Sequence, residues 1–235
     1  MAKSETSEEL KARHIRVMGE PLGELYHALW KELVWLYFKW AEYVALYGKG
    51  AKRVALMNRA APFFFAVLQD VAWHDLLLHI ARFVDPAESM GNKKKTNLSI
   101  RALPPLIPDA TLQATVEDLV AKARDAAAFP VDWRMRRLAH RDLAVALDRH
   151  PEPLKPASRL KVKEALASLA AVLNEIDLHY CDSTVAYDIS QGEPGGAITL
   201  LERLRDGVKA HEARLQRLRD DTFTHENFGR RELLD

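Results

Sequence analysis

The sequence predicts an all-α fold: a helical bundle over residues 1–190 with an appended, charged C-terminal helix and tail over 191–235. Three observations carry this reading. Apolar residues return at three- and four-residue steps through most of the chain, the period of an amphipathic helix. No run alternates apolar and polar side chains as a half-buried strand would, and no period of roughly 20 to 50 residues marks a repeat array. Gly and Pro gather at a few points, each between long periodic segments.

The first of these segments carries Leu22, Leu25, Leu29, Leu33, Leu36, Trp40, Tyr43 and Tyr47. It reads as one long helix, kinked near Gly19–Pro21 and stopped before Gly48 and Gly50. A second helix is expected from about Lys52 to Val84, with Pro62 either bending it or marking its true start. Asp85-Pro86 closes it, and a polar loop with Gly91-Asn92-Lys93-Lys94-Lys95 follows. Pro104, Pro105 and Pro108 precede a third helix, expected from an Asp109 N-cap to about Phe129. Pro130 is expected to open a fourth helix reaching Leu147, and Pro151 to Pro156 to form a linker. A fifth helix follows from about Ala157 towards Ile189. After the Gln191–Gly196 break, a sixth spans about Ala197 to Asp220.

With 235 residues the chain suffices for one large domain or a domain plus an extension. Its 34 Lys and Arg against 33 Asp and Glu leave a net charge of +1, so any polyanion site must be local. The single cysteine, Cys181, excludes an internal disulfide framework and a zinc ribbon, and fits a reducing compartment. The charged N-terminus lacks the apolar core of a secretory signal. The two most apolar stretches, Leu33–Tyr47 and Ala60–Trp73, read as too short to span a bilayer, so no membrane partner and a cytoplasmic location are expected.

Trp133-Arg-Met-Arg-Arg-Leu-Ala-His140-Arg-Asp142 concentrates four arginines, a histidine and an aspartate in about three helical turns. Guanidinium groups hold phosphate through fixed planar donor forks, and a histidine moves protons near neutral pH. On an ordinary helix Arg136 and Arg137 share the His140 face to within about 40–60°, whereas Arg134 stands about 120° away. A substrate touching both Arg134 and His140 must then approach from the side or lie in a shared cleft. Solvated arginine-rich helices are common, so this segment alone does not identify a catalyst.

The segment Arg134 to His140 resembles the Arg-(four to six residues)-His motif of HEPN domains. Arg82, Asp85 and Pro86, followed by Asn97-Leu98-Ser99-Ile100 and Leu103, are similar to the Arg-x-x-Asp-Pro … Asn-Leu-Ser connection of the abortive-infection branch of that superfamily. The aromatic first helix and Phe63-Phe64-Phe65 match in order and spacing, and the likeness covers roughly residues 20 to 180. It implies a HEPN-like helical bundle and a metal-independent endoribonuclease with no cofactor. In such enzymes a ribose 2′-hydroxyl attacks the adjacent phosphate, leaving a 2′,3′-cyclic phosphate. Carried onto this chain, His140 shuttles the proton and Arg134 stabilises the phosphorane. Arg136, Arg137, Arg141, Lys93, Lys94 and Lys95 are the expected RNA and phosphate contacts. The resemblance also implies RNA as partner, a homodimer sharing one cleft, and an antitoxin protein as a candidate partner in phage defence. One departure stands out: Met135 follows the motif arginine where many active members carry Asn, Asp or His. Met135 cannot orient a phosphate by hydrogen bonding, which favours the alternative of a silent module that binds RNA, nucleotide or a protein.

Other groupings have plainer readings. Glu24-x-x-His27 lacks the second pair that a di-iron bundle needs, so no metal is expected. His74, Asp75 and His79 read as polar residues at a packing edge, or as the far wall of the His140 cleft. Arg82 and Asp85 read as a helix-terminal pair. Trp30, Trp35, Tyr37 and Trp40, at helical spacing, read as packing or a dimer face. Cys181 reads as a semi-buried small residue.

Overall fold

The structure, a computed structural model, describes residues 5–88, 95–139, 143–147, 149, 152–189, 195–220 and 222. Among these the fold is all-α: a helical bundle with an appended C-terminal helix, interrupted by short 3-10 and π turns. One isolated antiparallel bridge joins Glu88 and Thr96. The chain divides into two compact units, residues 1–41 with 71–190, and residues 42–70 with 191–235.

In the first unit, α1 (Ser7–Met18) opens on a capping box in which the Thr6 side chain takes the Glu9 N–H and Glu9 reaches back to the Thr6 N–H. This helix goes beyond the sequence expectation. Gly19, at φ +84°, ends it, and α2 (Glu20–Tyr43) follows at once. Here lies the kink expected near Gly19–Pro21. Helices α1 and α2 meet at Gly23, where an added Cβ would fall 2.6 Å from His14 O and Ile15 Cα. Leu22, Tyr26, Leu29, Leu33 and Leu36 form the buried stripe of α2. They pack in the same core as Leu76, Leu77, Ile80, Ala81 and Phe83 near the end of α4 (Pro62–Phe83). Each such side chain gains about 1.5–3 kcal/mol from leaving water, most of it offset by the conformational entropy lost on ordering.

The rest of this core comes from two paired helices. Asp109 caps α5 (Ala110–Ala126) by accepting the Leu112 N–H at 2.7 Å, as its sequence position predicts. Leu112, Val116, Val120 and Ala123 are buried along α5, and Val162, Leu166, Leu169, Leu173 and Ile176 along α8 (Arg159–Cys181). α8 stops earlier than expected, because Asp182 adopts a left-handed conformation at φ 50° and caps it. Between them, the single fourth helix expected from Pro130 to Leu147 is broken up. Pro130 lies inside α6 (Ala128–Trp133), a π-helical turn follows over Arg134–Leu138, and α7 covers only Leu143–Ala146.

The second unit holds the end of α2, a π turn over Val44–Gly48, α3 (Ala51–Ala60), the first turns of α4 and α9 (Ala197–Arg219). Ala61 separates α3 from α4, so Pro62 marks a true helix start. Leu46, Met57, Phe65, Ala197 and Leu201 form its core. Glu42 accepts the Ala197 N–H, placing a carboxylate on the N-terminus of α9 where the helix dipole favours it. Arg59 of α3 pairs with Glu212 of α9.

Among the described residues, α4 is long and apolar enough, by length and composition alone, to cross a membrane. This exceeds the shorter Ala60–Trp73 stretch seen in the sequence, because the helix runs on through Leu76, Leu77 and Ile80.

Candidate functional site

The site is built on the end of α4. After Phe83 the chain leaves the helix through short bonds, Val84 N–H to Ala81 O at 3.3 Å and Asp85 N–H to Arg82 O at 3.2 Å. The returning strand of the loop is fastened to this exit. Asn97 donates its N–H to Ala87 O and its side-chain amide to Pro86 O, both at 2.8 Å. Ser99, fully buried, lies 2.6 Å from Asp85 O and 3.1 Å from Phe83 O through its hydroxyl, and accepts the Arg101 N–H at 3.2 Å. The hydroxyl has a single proton, so it serves the two carbonyls as one shared donor. The Asp-Pro … Asn-Leu-Ser residues thus form one hydrogen-bonded knot at the end of α4.

That knot presents the Asp85 carboxylate to the π turn. Asp85 pairs with Arg134, the motif arginine, with about a fifth and a third of the two side chains left exposed. Arg82 is exposed and does not take Asp85, so the expected helix-terminal pair is replaced by this longer-range one. The turn itself is π-helical because Ala139 donates to Arg134 O at 2.8 Å, five residues back. Over these five positions the wider winding departs from the roughly 100° per residue of an ordinary helix.

The other motif arginines have distinct surroundings. Arg136 is mostly buried: it pairs with Asp132 at 3.2 Å and donates to Glu152 O at 2.6 Å. Asp132 also accepts the Lys155 N–H, and Trp133 donates its indole N–H to Lys155 O, both at 2.8 Å. Asp132, Trp133 and Arg136 therefore clamp the linker before α8, and a phosphate reaching Arg136 would have to displace those bonds. Arg137 is exposed, its guanidinium 5.2 Å from the Trp133 ring centre. His74 from α4 brings its ring to 6.3 Å from the same indole. Met135 is two-thirds exposed. His140 and Arg141 lie outside the described residues, as do Lys93 and Lys94. Lys95 is exposed at the foot of the loop.

The structure therefore pairs Asp85 with Arg134 and, from the neighbouring position in the chain, sets Trp133 against Arg137 and His74. Two neighbours of His74 turn instead towards α2: Asp75 pairs with Lys39 at 2.8 Å, and His79 Nε2 lies 2.9 Å from Glu32. Burial, with Lys39 nearby, holds His79 below the usual imidazole range. The expected packing role fits Trp30, which lies against His14 and His27, and Tyr37, stacked on Tyr187 at 5.4 Å. Trp35 is largely exposed. Cys181 is half-buried, and burial beside Asp177 pushes its thiol up to about 11. Among the described residues no group of three His, Cys, Asp or Glu side chains is placed to hold a metal ion.

Sequence reasoning missed Asp132 and the role of Ser99. The i, i+4 spacing of Asp132 and Arg136 was the available signal for the first. Nothing local marked the second.

A family model for the AbiU2 type of HEPN domain matches residues 19–193. The chain belongs to the AbiU2 family of HEPN domains. The match covers α2 to α8 and both parts of the site, the Asp85–Ser99 knot and the Arg134 turn. Helix α9 lies beyond the AbiU2 region. No curated protein and no solved structure matches the chain.

Proposed function

We propose that this AbiU2-type HEPN domain is a metal-independent endoribonuclease acting as a phage-defence or toxin effector in the cytoplasm. The observation that carries the reading is the Asp85–Arg134 pair: the motif arginine is fixed from a second element, as a group that must meet a phosphate repeatedly needs to be. In the proposed reaction His140 takes the proton of a ribose 2′-hydroxyl as it attacks the adjacent phosphorus. The P–O5′ bond breaks, the leaving oxygen receives a proton, and a 2′,3′-cyclic phosphate remains. Arg134 bears the charge that develops on the phosphorane. Arg137 and Arg141 assist on the RNA backbone with Lys93, Lys94 and Lys95, and Arg136 holds the linker beneath them. A homodimer brings two such turns to one cleft, and an antitoxin protein restrains it.

The test is cleavage of a labelled RNA by wild type, His140→Ala and Arg134→Ala, with the product ends identified chemically and EDTA present throughout. Cleavage in EDTA to cyclic-phosphate ends, lost in His140→Ala at unchanged melting temperature, is the expected result. Wild-type cleavage by His140→Ala, or a requirement for a divalent ion, overturns it.

Met135 favours a second reading, a silent module that binds RNA or a protein. Its exposed thioether stands beside Arg134 with no hydrogen bond to offer a phosphate. Binding of intact RNA that Arg134→Ala weakens, without cleavage by wild type, selects this reading.

A further inference from the structure

Helix α9 carries a seven-residue repeat that its own unit uses only in part. Leu201, Val208 and Leu215 are seven apart, and so are Leu204, His211 and Leu218, which gives the a and d positions of a coiled-coil seam. The first half is covered: Leu201 belongs to the core with Met57 of α3, and Leu204 packs against that core. Cover then thins along the same seam. Leu201 is 7% exposed, Val208 is half-buried, and Leu215 and Leu218 are 39% and 47% exposed. Only the distal half is therefore open to a partner helix.

The residues flanking that half decide which partner it fits. Side chains at e and g line the edges of a seam and select its partner by charge. Glu212, an e position, is already paired with Arg59 of α3. The remaining edge charges beside Leu215 and Leu218 are Arg214 at g and Arg219 at e. A second copy offers these arginines little: parallel pairing sets Arg214 against Arg219, and antiparallel pairing of Leu215 with Leu218 sets Arg219 against Glu212, the carboxylate that Arg59 already holds. The first is repulsive, and the second has to compete with Arg59 for its one carboxylate. We infer that the distal seam of α9 binds an amphipathic helix of another protein, one with apolar a and d positions and acidic e and g positions. This inference does not rest on nuclease activity, since α9 lies outside the region that carries the HEPN motif.

The full chain is titrated, by fluorescence anisotropy, with two labelled peptides of four heptads. Both have Leu at a and d; one has Glu and the other Lys at e and g. Saturable binding of the acidic peptide, at least about tenfold tighter than the basic one and weakened by salt, is expected. Leu215→Glu/Leu218→Glu should weaken it more than tenfold with helicity and melting temperature unchanged. Arg214→Glu/Arg219→Glu should reverse the preference, and this pair decides the matter if the leucine variant fails to fold. Equal binding of both peptides, no binding of either, or no reversal overturns the inference. So does light scattering in which the leucine variant has a lower mass than wild type, because the occupant is then a second copy.

Discussion

Asp85, just past the end of α4, holds the guanidinium of Arg134, which lies 49 residues further along the chain in a π turn. The carboxylate is itself aimed by the knot that Ser99 and Asn97 tie behind it. In the proposed reaction Asp85 is a positioning residue. Removing its charge, as in Asp85→Asn, should lower kcat for RNA cleavage by about 10- to 100-fold with little change in KM. Folding stability should fall by only about 1 kcal/mol, because the pair is partly exposed. Steady-state kinetics beside a denaturant titration separates the two effects. An unaltered kcat would show that the pair is only structural.

Asp85 holds Arg134 at Nη1, and a phosphate needs the rest of its planar donor fork, so Arg134→Lys should not rescue the loss seen with Arg134→Ala. Both variants should cleave at similar, strongly reduced rates while melting within a few degrees of wild type. Recovery of most of the rate by lysine would mean that a point charge suffices.

Ser99 should matter more to stability than its size suggests. Ser99→Ala leaves buried carbonyls of Phe83 and Asp85 without their shared donor, at a cost of about 1–3 kcal/mol. Urea midpoints would measure this, and a change within error would mean another donor serves both carbonyls.

Acid should weaken the seat of α1. His14 and His27 are buried with their Nδ1 atoms 3.3 Å apart, and burial followed by the neighbouring His27 pushes His14 down to about 4. The unfolded chain protonates His14 near pH 6.5, whereas the folded chain keeps it neutral until about pH 4. Stability therefore falls as pH drops through that window, by about 3 kcal/mol from His14, and is level in this respect above it. His14→Leu should flatten the dependence. Denaturant midpoints of both proteins between pH 7.5 and 4 would measure the difference, and identical slopes would remove His14 as the cause.

The α1–α2 crossing offers a second handle on the same contact. Gly23→Ala puts a methyl group against the His14 carbonyl, where backbone must move, and should cost about 1–3 kcal/mol. A melting temperature equal to wild type would show that α1 is free to shift.

Local signals made much of this fold legible. Asp109 announced α5, the Gln191–Gly196 break the start of α9, and the Leu22–Leu36 stripe the buried face of α2, whereas Pro62 read as either a bend or a helix start. The Thr6-x-x-Glu9 capping box was the signal available for α1, and it was passed over because few apolar residues follow it. The π turn and the left-handed Asp182 have no residue signature and were not legible. Of the site, the sequence displayed the arginines but not their assignments. Asp85 and Arg134 meet only after the bundle folds, and the turning of Arg136 towards Glu152 depends on where the linker crosses.

The extra residue in the 134–138 winding has one more consequence. A π turn closes one revolution with one residue more than an ordinary turn, so excising one position between Arg134 and Ala139 would let an α-helical turn close there instead. The leucines and valines of α5 and α8 would keep their places. The extra position is therefore spare to the scaffold, and losing it would bring Arg134 one residue nearer to His140 along the chain.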